Sequence, residues 1–304
     1  MKLVKKGLIL STKDAPEFGA YRLMCPTPIS LSNNVIRVFL GFCDENGISR
    51  PGYVDVDANN PKSILNISPK PLLEVGRDGT FDDNGLCPTS IVVDGNNLLM
   101  YYFGFQLGVK IPFYMFSGMA VSSDNGLTWE KTSEVPVLDR SNQEPIMRSG
   151  PFVIKETNKY KVYYPCGKKF IDVNGKKVHS YQIHYCESSN GRIWPDSGIP
   201  VIKFQSEDEY GFGRPFVIWK NGMYIMLYSI RTRSLGYRLG YADSLDGINW
   251  NRKDHEMDID VSKDGWDSQM LCYSSIIQLK NKTYIFYNGN NLGGTGFGFA
   301  KLIS

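Results

Sequence analysis

The chain has 304 residues, a formal net charge of +3 and 42% hydrophobic residues, a length and composition that can form a large core. Charges of both signs are spread along it, so no basic run indicates a nucleic-acid partner. No stretch approaches the roughly 20 apolar residues that a membrane-spanning helix needs, and the apolar residues 7–10 are too few for a signal peptide. We therefore expect a cytoplasmic protein whose six cysteines are reduced thiols.

The local pattern of the sequence is that of strands. Aromatic residues make up 13% of the chain, and short alternating apolar runs are broken by Gly, Asn, Asp and Pro. Alternation with a period of two is typical of half-buried strands, and helical periods are nearly absent. The pattern predicts an all-β fold.

A unit of about 60 residues repeats five times along the chain. Each copy begins with a short apolar strand, and the copies are marked by Pro26, Pro88, Pro151, Pro215 and Ser275. A tight turn and an aromatic-rich strand follow, at residues 35–39, 97–102, 160–164, 223–228 and 283–287. A third strand ends in a polar turn that leads to a tryptophan, most clearly at residues 123–129, 188–194 and 244–250.

Five such units, each able to supply about four strands, predict a five-bladed β-propeller with four-stranded antiparallel blades. The last unit lacks an outer strand, and residues 3–10 are expected to supply it and close the ring. The prediction is therefore a single domain over residues 1–304. Two packed β-sandwich domains fit the strand content but not the even spacing of the repeat.

A propeller gathers the first strand of every blade around its axis, so the residues just before those strands should converge on one funnel. Acidic residues at these places are candidates for acid, base or nucleophile in glycosidic chemistry. They are Asp82, Asp83, Glu144, Glu209 and Asp267. The structural alternative is that they organise turns or lie in solvated loops.

Two arginines at the funnel, Arg148 and Arg214, are planar forks suited to a carboxylate or a phosphate. Pairing with funnel carboxylates is the structural alternative for both. The remaining residues that we predict to contact a ligand are Tyr21, Arg22, Asn84, Trp266, Gln269 and Tyr273. Aromatic faces among them could stack on sugar rings.

Metal and cofactor chemistry has little support in the sequence. Cys25, Cys87 and Cys272 hold similar positions in three units, where apolar packing is favoured over a thiolate metal site. His179 and His184 are expected outside the funnel, as is His255, which argues against a histidine metal site or a Ser-His-Asp triad. No cofactor is expected, and a cation on the axis stays an open alternative.

At this point the chain resembles the five-bladed propeller glycoside hydrolases, a group with arabinanases, xylosidases, invertases and mannoside phosphorylases. The motifs that carry the resemblance lie at residues 81–85, 244–250, 265–268, 287–290 and 294–298. The resemblance implies a carbohydrate ligand and makes Asp83 or Asp82 the counterpart of the blade-two acid. Cys25 and Ser149 stand where the group has its blade-one Asp and its blade-three Glu.

Three functions follow as alternatives. The first is a glycosidase-like enzyme that acts on an anionic sugar or sugar conjugate in the funnel through carboxylate acid/base chemistry. The second is a phosphorylase in which Arg148 and Arg214 hold inorganic phosphate. The third is a carbohydrate-binding propeller without catalysis in surface-polysaccharide metabolism, which the missing blade-one Asp and blade-three Glu favour.

Overall fold

Antiparallel hairpins account for nearly the whole chain in the computed structural model, which describes residues 1–303. The N-terminal strand is β1 (Leu3–Leu10). The first strand group then contains β2 (Arg22–Ser30), β3 (Val35–Cys43), β4 (Ser49–Asp57) and β5 (Ile64–Ile67). The second contains β6 (Leu86–Asp94), β7 (Asn97–Leu107), β8 (Phe113–Ser122) and β9 (Glu130–Lys131). Each of these two groups is a four-stranded antiparallel sheet in chain order.

The third strand group contains β10 (Met147–Arg148), β11 (Phe152–Lys155), β12 (Tyr160–Val173), β13 (Lys176–Ser188) and β14 (Ile199–Ile202). The fourth contains β15 (Glu209–Lys220), β16 (Met223–Thr232), β17 (Gly236–Ser244) and β18 (Asn251–Arg252). A single parallel bridge between Tyr181 and Gly211 joins the two into one nine-stranded sheet. All the other pairings within it are antiparallel.

The fifth strand group contains β19 (Cys272–Leu279), β20 (Lys282–Asn288) and β21 (Phe297–Leu302). Strand β1 pairs antiparallel with β21, so the N-terminal segment supplies the outer strand of the last group, as the sequence predicts. Short 3-10 turns lie at Thr12–Asp14, Glu17–Gly19 and Asp254–Glu256, and one short helical turn, α1, at Asn290–Gly293. No helix in residues 1–303 is long and apolar enough to cross a membrane.

The polar turns before the tryptophans explain why the repeat is so regular. Ser122 Oγ accepts a hydrogen bond from the Gly126 N–H, and the Asp124 carboxylate accepts from the two N–H groups that follow. Gly126 has φ +82°, a left-handed conformation that glycine adopts without steric cost. The Trp129 indole donates back to the Gly126 carbonyl and meets the Phe39 ring edge-on in the first group.

The same turns connect neighbouring strand groups. The Tyr101 hydroxyl of the second group donates to the Gly191 carbonyl in the turn of the third, and Tyr163 of the third donates to Gly247 of the fourth. The apolar clusters likewise lie between consecutive groups rather than within one. One of them packs Val38 of β3 against Phe286 of β20, so the first and last groups are in contact. This closed arrangement is that of a propeller-like fold.

The N-terminal strand also carries the ionic partner of a buried acid in the fifth group. Lys5 Nζ lies 2.7 Å from Asp267, whose side chain is 3% exposed. Lys6, the next residue, is exposed and has no such contact among residues 1–303. The two lysines therefore form a matched pair for measuring what this ion pair contributes.

We predict that Lys5→Met lowers the free energy of unfolding by about 1–3 kcal/mol, because it leaves the buried Asp267 without its cation. Lys6→Met should change it by less than about 0.5 kcal/mol, as exposed substitutions usually do. Urea unfolding followed by circular dichroism measures both. Equal effects of the two substitutions would contradict a stabilising role for the Lys5–Asp267 pair.

Candidate functional site

The first strands of the groups share a backbone irregularity where they enter the centre of the molecule. Cys25, Gly150, Arg214 and Tyr273 all have φ between +55° and +61°, and each directly precedes the residue that opens its apolar strand. This conformation is unfavourable for residues other than glycine, and it persists where the surrounding structure enforces it, often at functional sites. All four residues line one central cavity.

That cavity has a volume of about 380 Å³, within the range of pockets that hold small molecules. Every strand group contributes to its wall, with Met24, Phe103, Pro165, Tyr237 and Tyr273 as one example from each. Gly47 and the 64%-exposed Leu107 also line it, so it opens to solvent. The convergence of five distant segments on one cavity is what the repeat predicts.

The cavity is positively charged. Arg22, Arg214 and Arg231 line it, and no aspartate or glutamate among residues 1–303 does. Salt bridges neutralise none of the three within the part of the chain that the structure describes. In a partly desolvated cavity such charges attract anions strongly.

Arg214 is the most buried of the three, at 3% exposure. Its guanidinium donates to the carbonyls of Thr89 (2.6 Å) and Pro26 (3.0 Å) and to the Thr27 hydroxyl (2.8 Å), and its Nε has no partner. These partners belong to β2 and β6, whereas Arg214 belongs to β15, so one side chain connects three strand groups. Burial lowers the pKa of Arg214, the expected result for a cation that neutral oxygens alone surround.

Arg231 and Arg22 lie against aromatic rings. The Arg231 guanidinium is 4.8 Å from the centroid of Tyr210 and 5.4 Å from that of Tyr237. Arg22 lies 4.5 Å above the Tyr21 ring and donates to the carbonyl of Asn291 at 3.2 Å. Cation–π contacts of this kind hold a guanidinium in place without neutralising its charge.

His179 also lines the cavity, which corrects the prediction that no histidine lies at the funnel. The hairpin of β12 and β13 is the longest of the fold, with strands of 14 and 13 residues, and it carries His179 to the cavity opposite Phe170. Its Nε2 is buried without a hydrogen-bond partner. Burial and the Arg231 charge lower the pKa of His179 to about 4, so the ring is neutral near pH 7.

The predicted catalytic carboxylates lie within the strand groups, not on the cavity wall. Four buried tyrosines each donate to a carboxylate: Tyr102 to Asp82 (3.1 Å), Tyr164 to Glu144 (2.7 Å), Tyr228 to Asp254 (2.5 Å) and Tyr287 to Asp267 (3.0 Å). A cation lies within 2.7 Å of each acid: Lys131, Arg148, Arg252 and Lys5 in the same order. We call these four sets the carboxylate–tyrosine–cation clusters.

Two predicted acids remain outside that description. Glu209 pairs with Arg252 at 2.6 Å, in the same region as Asp254. Asp83 is half-buried and accepts a hydrogen bond from the Gly79 N–H at 2.9 Å, in the turn that precedes Asn84. Asn84 lines the cavity, so Asp83 is the predicted acid whose chain neighbour reaches it.

The predicted ligand-binding residues divide in the same way. Arg22, Asn84, Arg214 and Tyr273 line the cavity. Tyr21 is 41% exposed beside Arg22, and Gln269 is exposed.

The other two predicted residues are held inside the protein. Trp266 stacks on Tyr287 at 5.1 Å. Arg148 pairs with Glu144 and donates to the carbonyls of Asp139 and Pro195.

Sequence reasoning did not identify Arg231, Tyr181, Tyr237 or His179, although all four line the cavity. They lie on the second and third strands of their groups, whereas the prediction considered only residues before the first strands. The unusual spacing of the third unit, where residues 160–188 form one long hairpin, was the available signal.

One trio of residues has the composition of a metal site. Ligand atoms of Glu144, Cys166 and His184 lie within 4.8 Å of one another, and all three side chains are buried. However, Arg148 Nε lies 2.7 Å from Glu144, and His184 Nδ1 lies 2.7 Å from its other oxygen. A cation in this position would compete with a guanidinium for the same carboxylate, so the trio is better described as a hydrogen-bond network.

Solved structures of known proteins share this architecture. The chain matches a structure of BT0996 in complex with an RGII ligand, with a TM-score of 0.75 and 16% identity over 99% of this chain and 91% of that protein. A structure described as "Glycoside hydrolase" gives 0.76 and 17% identity over 99% and 91%. An α-L-arabinofuranosidase from Lactobacillus brevis gives 0.69 and 10% identity over 97% and 94%. The fold is therefore that of the propeller-like glycoside hydrolases.

The sequence relatives are more specific. Uncharacterized proteins Rv1502 and MT1551 of two Mycobacterium tuberculosis strains are each 30% identical over 298 residues, covering 98% of this chain and 98% of each relative. The chain belongs to the same family as these proteins. No protein-family model matches it.

Glu144 offers a pH-dependent test of the carboxylate–tyrosine–cation clusters. Burial opposes its ionisation, but hydrogen bonds from His184, Tyr164 and the Gly198 N–H, together with Arg148, lower the pKa of Glu144 to about 2. A carboxyl whose pKa is lowered by folding stabilises the fold at neutral pH, and this contribution disappears as pH falls from about 4.5 towards 2.

We therefore predict that Glu144→Gln costs about 3 kcal/mol of unfolding free energy at pH 7 and much less near pH 2. Chemical unfolding of both proteins across this range measures the difference. The exposed Glu130→Gln is the control and should give a small, pH-independent change. A Glu144→Gln effect that stays constant down to pH 2 would contradict the low pKa.

Proposed function

We propose that this protein binds an anionic sugar or sugar conjugate in the central cavity, and that its five strand groups are the blades of a propeller around that cavity. The observation that carries the proposal is Arg214, a buried guanidinium on the cavity wall that no carboxylate neutralises within residues 1–303. The unpartnered Nε is a donor available to an anionic ligand.

The charge of the cavity supports the anionic part of the proposal. An isolated buried charge is costly unless a partner compensates it, and the partners of Arg214 are neutral oxygens. Arg22 and Arg231 add two further positive charges to the same wall. A carboxylate, phosphate or sulfate on the ligand would supply the missing charge and could form two parallel hydrogen bonds with a guanidinium.

The rest of the lining supports a carbohydrate. Phenylalanine and tyrosine rings from three strand groups line the cavity, among them Phe103, Phe113, Tyr181 and Tyr237. Such rings offer apolar faces to the C–H groups of a sugar, while the neutral His179 can exchange a hydrogen bond with a hydroxyl. The structural neighbours are glycoside hydrolases, and one of the matched structures, BT0996, is in complex with an RGII ligand.

Glycosidase activity is the second candidate, and the shared fold favours it. Acid/base chemistry needs carboxyl groups beside the scissile bond. Asp82, Glu144, Glu209 and Asp267 are each engaged with a cation inside the strand groups, which leaves Asp83 as the acid closest in sequence to a cavity residue. Phosphorolysis is a variant of this candidate, in which the free Nε of Arg214 would bind inorganic phosphate.

The binding proposal predicts a preference for acidic over neutral sugars. In titration calorimetry, glucuronate, galacturonate and hexose phosphates should include binders, whereas glucose and galactose should not bind. Arg214→Met should weaken the best binder at least about tenfold, because it removes a charge-assisted hydrogen bond. The fully exposed Arg77→Met is the control and should leave affinity unchanged.

Higher salt should weaken binding in the wild type, since the attraction is electrostatic. Arg231→Met offers a second variant if Arg214→Met is unstable, and thermal unfolding will show whether each variant folds. Equal binding of acidic and neutral sugars, or unchanged affinity in both arginine variants, would refute the proposal.

The glycosidase candidate predicts turnover of a nitrophenyl glycoside or nucleotide sugar, with Asp83→Asn lowering the rate at least about 100-fold. Asp78→Asn, an exposed residue of the same loop, is the matched control. A rate that requires inorganic phosphate indicates phosphorolysis. Turnover that Asp83→Asn leaves intact would exclude Asp83 as a catalytic group.

A further inference from the structure

Cys25 lies at the cavity, at the position that corresponds to Arg214 in the fourth strand group. Both residues have the left-handed backbone conformation and both precede a proline, Pro26 or Pro215. The Arg214 guanidinium donates to the Pro26 carbonyl at 3.0 Å and to the Thr27 hydroxyl at 2.8 Å, so it is anchored to the two residues that follow Cys25. The side chains of Cys25 and Arg214 line the same cavity.

The charge of Arg214 needs an anion, and two thiols are the ionisable groups beside it. The Cys87 thiol is fully buried and donates weakly to the Met24 carbonyl at 3.7 Å. Burial raises the pKa of Cys87 well above its ordinary value, and its hydrogen bond to Cys25 adds to this effect. Cys87 therefore remains a thiol and can donate to the neighbouring sulfur.

Cys25 receives what Cys87 and Arg214 donate. Burial opposes its ionisation, but the Cys87 hydrogen bond and the Arg214 charge outweigh burial, so the pKa of Cys25 is lowered. Cys43 provides the contrast, because it lines the same cavity without Arg214 beside it. Burial raises the pKa of Cys43 to about 11.

We propose that Cys25 is a nucleophilic thiolate in the cavity wall and a site of covalent modification by small electrophiles, with Arg214 as its counter-ion. The thiolate is the reactive form of cysteine, and an adjacent cation is the usual cause of its formation. The inference goes beyond the sugar-binding proposal, because it requires no carbohydrate. It gives Arg214 an anion in the ligand-free protein.

Hydrogen peroxide is the oxidant class that a cavity of this kind would admit. The Cys25 sulfur forms a bond to one peroxide oxygen, the O–O bond breaks, and hydroxide leaves and takes up a proton to become water. The product is a sulfenic acid. The Cys87 thiol can then attack that sulfur, which forms the S–S bond and releases the hydroxyl group as water with the Cys87 proton.

The test is the rate at which iodoacetamide alkylates each of the six cysteines in the folded protein at pH 7, measured by mass spectrometry of the peptides. The Cys25 sulfur displaces iodide, forming an S–C bond as the C–I bond breaks. Cys25 should react about tenfold faster than Cys43, since a larger thiolate fraction outweighs its lower intrinsic nucleophilicity. Arg214→Met should remove this difference.

A second measurement does not depend on reagent access or on the folding of an arginine variant. The thiolate absorbance of the wild type in the ultraviolet at pH 7 should exceed that of the conservative variant Cys25→Ser, while Cys43→Ser should match the wild type. Equal absorbance of wild type and Cys25→Ser, or alkylation of Cys25 no faster than that of Cys43, would overturn the proposal.

Added inorganic phosphate separates this inference from the proposed function. If anions bind at Arg214, phosphate should slow the alkylation of Cys25 in proportion to its occupancy of the cavity. Fast alkylation that phosphate does not affect supports the thiolate and counts against the anion site. Slow alkylation together with tight phosphate binding supports the anion site and overturns the thiolate.

Discussion

The hydrogen bonds of one buried guanidinium connect the structure at its centre. Arg214 extends from β15 to main-chain and hydroxyl oxygens of β2 and β6, so it joins three strand groups that are distant in sequence. None of these partners is charged, which leaves a positive charge inside the protein beside a cavity. The same side chain thus positions the inner strands and defines what the cavity can bind, because the uncompensated charge favours an anion.

The acids that might have neutralised this charge are used elsewhere. In four of the five strand groups a carboxylate accepts a hydrogen bond from a buried tyrosine and lies beside a lysine or arginine. Burial raises the pKa of each tyrosine, for example Tyr287, so the hydroxyl stays a donor. The consequence is a division of labour: acidic residues stabilise the strand groups, and arginines remain in the cavity.

The repeat predicted the strand groups and the place of the N-terminal strand because period-two patterns and turn chemistry are local properties. It predicted part of the site for the same reason, since Arg22, Asn84, Arg214 and Tyr273 directly precede or enter first strands. It could not distinguish Asp82 and Asp267, which point into their own groups, from residues that face the cavity. That distinction depends on Tyr102 and Tyr287, which are far away in sequence, and His179 was missed because hairpin length decided its position.

The most direct test of the central claim is a crystal structure of the protein with a bound acidic sugar. The account predicts that the anionic group of the sugar lies within hydrogen-bond distance of Arg214 Nε, with the sugar ring against the aromatic wall of the cavity. A sugar bound outside the cavity, or one that turns a neutral hydroxyl towards Arg214 and its anionic group towards solvent, would contradict it.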